Sequence, residues 1–140
     1  MEANLKKKFN AVYRKIKLML YRSMFKRIKD KEENLTSSEY FCLECIYLMD
    51  KPTISQFAEF LDISSPNATY KVKTLIKKGF ISKEKSKKDG REYLLVPTKK
   101  FFDIYENKDE EVNITAIKKD LNKSESKKIE KIMNILTEKI

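Results

Sequence analysis

The run "SSPNATYKVK", Ser64 to Lys73, sets hydroxyls, one amide, one phenol and two lysines within three helical turns, and "KKDGR" later adds Lys87, Lys88, Asp89 and Arg91. Such groups exchange hydrogen bonds and neutralise anions. They do not make a nucleophile paired with a base. The chain has no His, no Gly-rich phosphate loop and no Gly-x-Ser-x-Gly elbow, and the acidic run at 109–111 has no visible partner. General acid–base and nucleophilic catalysis therefore have no candidates, and neither an enzyme nor a cofactor is expected. "CLEC", Cys42 to Cys45, has the spacing of a zinc or dithiol motif. Zinc wants about four ligands and these are the only two cysteines. A reactive dithiol sits at a helix N-terminus, whereas these fall inside a helix. Small apolar residues at a helix interface is the expectation, and no metal site is expected.

The net charge of +10 is informative once divided. Residues 1–31 hold eleven Lys/Arg against two acids, 32–70 one against seven, and 71–91 nine against two. Two basic blocks on an otherwise near-neutral chain are the footprint of a protein that meets a polyanion, either nucleic acid or an anionic membrane surface. At 140 residues, with 41% apolar and 37% charged residues and only two Gly, one folded and strongly helical domain is expected, 1–140. No apolar run reaches the roughly 18 residues of a membrane span, and "MEANLKKKFN" lacks a secretory core, so a cytoplasmic location is expected.

These side chains need elements to hold them. Leu5, Phe9, Val12, Tyr13, Ile16, Met19, Leu20, Met24 and Ile28 follow the spacing of one helix face, about seven turns long. Thr36 three residues before Glu39 is a capping box that starts a second helix over 37–49. Pro52 ends it. Thr53 caps the short "ISQFAEFL", with Ile54, Phe57, Ala58 and Leu61 as its stripe. Ser64 caps the next helix and Pro66 lies in its first turn. That helix turns Ala68, Val72, Leu75 and Ile76 inward and leaves Ser65, Asn67, Thr69, Tyr70, Lys73 and Lys77 on other faces. Gly79 stands where a left-handed C-terminal cap is wanted.

"FISKEKSKKDGREYLLVP" then reads as two strands, 80–83 and 92–96. Asp89-Gly90 signals a tight reversal in which Gly90 supplies a positive φ. Two short helices followed at once by a hairpin make a winged helix-turn-helix. Thr98 is expected to cap a helix bearing Phe101, Phe102, Ile104 and Tyr105, continued or broken around "ENKDEEVN" by Val112, Ile117 and Leu121. A last helix carries Ile129, Ile132, Met133 and Leu136. Long amphipathic helices at both ends expose more apolar surface than the centre can cover, which points to a homodimer. The fold class is mainly α with a small β-hairpin wing: dimerisation helices in 1–33 and 99–140, and a winged helix-turn-helix lobe in 35–98.

The order "LTSSEYFCLECIYL", "TISQFAEFLDISSPNATYKVKTLIKKGFI", "KKDGREYLLVPTKK" resembles the MarR family of bacterial transcriptional regulators. The resemblance spans the chain and is densest from Leu35 to Lys100. Its anchors are Leu35-Thr36, Leu75 to Gly79, and the Asp-x-Arg of Asp89 and Arg91. The chain departs from the family pattern after the second wing strand, where Pro97-Thr98 and Phe101 stand. The resemblance implies a repressor that binds double-stranded DNA as a homodimer on a pseudo-palindromic operator, with no membrane partner. It also implies release by a small-molecule effector between helices one, two and five, where Tyr13, Tyr40 and Phe102 are the pocket candidates. In such a protein, Ser64, Ser65, Pro66, Asn67, Thr69 and Tyr70 lie at the end of the recognition helix that reaches base edges, and Asn67 has the geometry for a bidentate pair with adenine. Lys71 and Lys73 would hold phosphates, which set position rather than sequence. Lys87, Lys88 and Arg91 would approach the adjacent minor groove, with Asp89 bracing Arg91. Two rival classes stand beside this one, a winged-helix protein-interaction module and a basic membrane-surface protein.

Overall fold

In the computed structural model, which describes residues 1–29, 34–105 and 118–140, six helices and two strands follow one another along the described chain. The chain divides into two compact units, Met1–Asn107 and Lys108–Ile140. Helix α1, Glu2–Lys29, runs 28 residues, a rod of about 42 Å. Its stripe of Leu5, Phe9, Val12, Tyr13, Ile16, Met19 and Leu20 is exposed, while Met24 near its end is buried.

Helix α2, Ser37–Leu48, begins with the expected capping box: the Glu39 N–H donates to Thr36 Oγ1 at 3.2 Å and the Thr36 N–H to Glu39 Oε2 at 2.8 Å. A turn with Asp50 and Lys51 at φ 55° and 58° leads out of it. Helix α3, Ile54–Leu61, is capped by Thr53, and Gln56 returns the bond at 2.9 Å, a second capping box. Asp62 closes α3 in the left-handed region. Helix α4, Ser65–Lys77, starts on Ser64, whose Oγ accepts the Asn67 N–H at 3.3 Å, with Pro66 in the first turn. Gly79 follows at φ 82°, the cap glycine the sequence called for.

Strands β1, Ile81–Lys85, and β2, Tyr93–Pro97, pair antiparallel in the register Ile81↔Pro97 to Lys85↔Tyr93. They sit one or two residues beyond the expected 80–83 and begin one residue later than the expected 92–96. Phe80 is absorbed into the core instead, at 1% exposure. The Leu95 N–H donates to the Pro52 carbonyl at 2.8 Å and Thr53 bridges Leu94, so the α2–α3 turn lies along the hairpin. Helix α5, Lys99–Tyr105, follows, and in the second unit α6, Lys123–Lys139, opens with a capping box between Asn122 and Glu125. In α6 Ile132 and Met133 are exposed, while Ile129 and Leu136 are partly buried. Val112, Ile117 and the segment "ENKDEEVN" lie outside the described residues.

One core unites α2 to α5. Tyr40, Leu43 and Ile46 of α2, Phe57 of α3, Ala68, Val72 and Leu75 of α4, Phe80, Leu95 and Phe101 are all at 0–1% exposure. Beside it Tyr47, Phe101, Phe102 and Tyr105 form a ring cluster with centroids 4.7 to 5.9 Å apart. Tilted and edge-on pairs at these distances add about 0.5–1.5 kcal/mol each beyond the area they bury.

Two local expectations are corrected. Gly90 does not adopt a positive φ; among the described glycines only Gly79 does. The reversal is spread over the loop Ser86–Glu92, closed by Ser86 N–H to the Glu92 carbonyl at 2.9 Å and Glu92 N–H to the Asp89 carbonyl at 3.1 Å. A loop of this length turns the chain without the mirror-image geometry of a two-residue hairpin. Thr98 does not spend its hydroxyl on its own helix: Oγ1 donates to the Gly79 carbonyl at 2.6 Å, while its backbone carbonyl accepts the Phe101 and Phe102 N–H groups.

Candidate nucleic-acid interface

Helix α4 is held by one face and free on the other. Ala68, Val72 and Leu75, all fully buried, fix its rotation and depth. At 3.6 residues per turn this forces Ser65, Pro66, Asn67, Tyr70, Lys73 and Lys77 outward, and all six are exposed, Tyr70 at 72%. Ser64 takes the Asn67 backbone N–H, and the Asn67 side-chain amide has no hydrogen-bond partner among the described residues. Lys73 likewise has none. Thr69 and Lys71 flank the inner face and are partly buried, so they are less presented than the sequence suggests.

The wing is ordered by its own polar groups. Ser86 Oγ accepts the N–H groups of Lys88 and Asp89 at 3.3 and 3.4 Å, and Asp89 Oδ1 accepts the Arg91 N–H at 3.0 Å. Asp89 therefore braces the Arg91 backbone, and the guanidinium has no partner among the described residues. Lys87, Lys88 and Arg91 are exposed and form no ion pair among the described residues. Desolvating such unpaired cations is cheap when a polyanion arrives, since their charge is not already spent on a carboxylate.

Three side chains tie helix and wing to the lobe, and two of them, Lys78 and Lys100, were not singled out by the sequence. Lys78, the C-cap of α4, donates to both carboxylate oxygens of Glu39 at 2.9 and 2.7 Å and to the Asn34 carbonyl, crossing 39 residues. Burial pushes the Glu39 carboxyl up, but the Lys78 hydrogen bond, the Thr36 N–H and the Lys78 charge outweigh it and hold it below its ordinary value. Lys100 donates to the Lys78 carbonyl at 2.9 Å and lies 4.6 Å over the Phe80 ring. Thr98 holds the Gly79 carbonyl. A lysine in the last turn of a helix is a dipole-favoured position, which is the one sequence signal for Lys78; its partner is not visible from local spacing.

The remaining candidates separate. Tyr13 is exposed on α1, Tyr40 is sealed in the core, and Phe102 meets Tyr47 edge-on at 5.9 Å. Tyr40 at 1% exposure is a core residue rather than a pocket wall. Cys42 is buried and Cys45 partly buried, both as free thiols, and burial first of all pushes both thiols above their ordinary value. They pack as small apolar groups. No group of three or more His, Cys, Asp or Glu among the described residues is arranged to hold a metal ion, and no described helix is long and apolar enough to cross a membrane.

Residues 35–93 match the model of the MarR family. Among solved structures the chain is similar to the transcriptional regulator Tm0710 from Thermotoga maritima, 26% identical over 94% of this chain and 92% of that one, with a TM-score of 0.60. It is also similar to YusO from Bacillus subtilis, 19% identical over 97% and 94% of the two chains with a TM-score of 0.56. A MarR protein from Peptoclostridium difficile is 24% identical over 91% and 86%, with a TM-score of 0.51. The last two bear on the fold alone. A search of curated proteins gives no match.

Proposed function

We propose, from the match of residues 35–93 to the MarR family model, that the chain is a sequence-specific transcriptional regulator that binds double-stranded DNA as a homodimer. One observation carries the reading. The outward face of α4 and the tip of the wing are the places where unpaired cations and a free amide stand exposed on elements locked by a buried core. An α-helix fits the major groove, and its N-terminal side chains reach base edges while the helix end favours a phosphate. Asn67 reads a base, Ser65, Pro66 and Tyr70 line the same contact, and Ser64 and Thr69 sit at its margin. Lys73, and Lys71 from the α2 side, take phosphates. Lys87, Lys88 and Arg91 enter the neighbouring minor groove, where narrow A·T tracts concentrate negative potential.

The second copy joins through apolar faces that a single chain leaves in water, Leu5 to Leu20 on α1 and Ile132 and Met133 on α6. A two-fold axis sets two recognition helices about one turn of DNA apart. Occupying a promoter this way represses it, and a small effector that alters the spacing releases it. Similarity to a transcriptional regulator at 26% identity supports the regulatory role. Selection of bound fragments from random duplex DNA tests the reading: a half-site repeated with dyad symmetry about 10 base pairs apart is expected. Bound fragments with no common sequence, held no better than bulk duplex, would overturn it.

A further inference from the structure

The chain enters the winged lobe at Asn34 and leaves it at Thr98, and both passages close on one place, the C-terminal end of α4. On the entry side the Lys78 ammonium donates to the Asn34 carbonyl and to both Glu39 oxygens, at 2.9 and 2.7 Å. On the exit side the Thr98 hydroxyl donates to the Gly79 carbonyl at 2.6 Å, and the Lys100 ammonium to the Lys78 carbonyl at 2.9 Å. The Thr98 N–H adds a bond to the Phe80 carbonyl at 2.9 Å. Carbonyls at the end of a helix have no partner within it. Here the root of α5 supplies donors to two of them in succession, while the side chain of the same Lys78 is taken by the segment leading into α2. The Lys78 and Glu39 side chains are only 28% and 19% exposed, so this charge-assisted pair is partly shielded from water. By contrast α1 grips little else: Met24 is its one buried side chain among those described.

We propose that Lys78, Thr98 and Lys100 form a joint that fixes the lobe on the roots of α1 and α5, and that through it they set the spacing of the two recognition helices. They are positioning residues, acting through α4 rather than on DNA. The joint itself is independent of the regulatory reading; its consequence for DNA rests on that reading. Widening the gap between two half-sites by one base pair shifts one of them by about 3.4 Å and turns it by about 35°. A stiff joint then leaves one helix out of its groove. A loose joint lets both helices seat, but each lobe must be ordered as it binds. Selectivity for spacing is therefore the property the joint governs.

The test uses the full chain on three duplexes: the selected half-sites at their selected spacing, the same half-sites one base pair further apart, and a single half-site. Wild type should favour the selected spacing. Lys78→Met should cut that preference about tenfold and Thr98→Val about fivefold, as a charge-assisted and a neutral hydrogen bond differ, with single half-site affinity unchanged. Gln56→Ala, which weakens the α3 capping box away from the joint, should keep the wild-type preference. An unchanged preference in Lys78→Met and Thr98→Val, an equal loss in Gln56→Ala, or an equal loss on the single half-site would each overturn the proposal. A measurement without DNA separates the two claims. Spin labels at Lys15→Cys on α1 and Lys77→Cys on α4, with Cys42→Ala and Cys45→Ala removing the native thiols, report the distance within one chain when labelled protein is diluted with unlabelled. That distance should be narrowly distributed in the wild-type background and broaden with Lys78→Met or Thr98→Val. Broadening in a protein that selects no duplex would uphold the joint and bring down the regulatory reading. A distribution that stays narrow in both variants would overturn the joint whatever the DNA result.

Discussion

Replacing each of the two glycines by alanine should have opposite effects, and the backbone says why. Gly79 holds φ 82°, and a Cβ there would meet Lys100 Cδ at 3.7 Å, an ordinary contact. The cost of Gly79→Ala is therefore conformational: placing an L-residue in the left-handed region costs about 1–2 kcal/mol. The stiffer unfolded chain returns about 0.4–1 kcal/mol of that, leaving a net loss near 1 kcal/mol. At this length the melting temperature should fall about 4 °C. Gly90 lies outside the left-handed region, and its Cβ would touch only Lys85 Cε at 3.5 Å, the far end of a flexible side chain. Gly90→Ala should then gain about 0.4–1 kcal/mol from the unfolded state alone and raise the melting temperature by about 2–4 °C. Thermal melts followed by circular dichroism at one protomer concentration measure both, because association shifts the midpoint with concentration. A Gly90→Ala loss as large as that of Gly79→Ala would show that the wing does turn through a left-handed glycine. A neutral Gly79→Ala would remove the cap at the end of α4.

Thr98→Val deletes the 2.6 Å bond to the Gly79 carbonyl at nearly constant shape and should cost about 1 kcal/mol; combined with Gly79→Ala the losses should not add, since both act on one peptide. Glu39 has its folded pKa held below the 4.5 of an unperturbed glutamate. Its contribution is therefore complete above that value and lost as pH falls through the lowered folded one. Urea midpoints should decline over that interval, and Glu39→Gln or Lys78→Met should flatten the decline; equal slopes in all three proteins would refute the pairing. Ser64→Ala should cost about 1 kcal/mol as a lost N-cap, read from the same denaturation curves.

What the sequence disclosed was local. Thr36 with Glu39, Ser64 with Pro66, and Gly79 each act within four residues, so spacing alone placed α2, α4 and its end. The inward set Ala68, Val72 and Leu75 was equally readable, because a helix that buries one stripe must expose its opposite. What stayed hidden was set by contacts between distant segments. Lys78 meets Glu39 across 39 residues, and Thr98 turns from its own helix to Gly79 across 19. Tyr40 was a pocket candidate through the family resemblance alone, whereas its ring is buried in the core of the lobe. The wing tip was misjudged because Asp-Gly favours a two-residue turn only where the flanking strands reach it, and here the strands stop at Lys85 and Tyr93.

The most direct test compares two single variants on two DNAs, the selected duplex and a random one of equal length, across a range of salt. Asn67→Ala should cost about 1–3 kcal/mol on the selected duplex and almost nothing on the random one, because an amide pairing with a base edge carries sequence information. Lys73→Ala should weaken both alike and lower the salt slope by about one per protomer contact, because a phosphate looks the same everywhere. Equal losses for Asn67→Ala on both duplexes, or a selected duplex bound no tighter than the random one, would contradict the assignment of α4 as a helix that reads DNA.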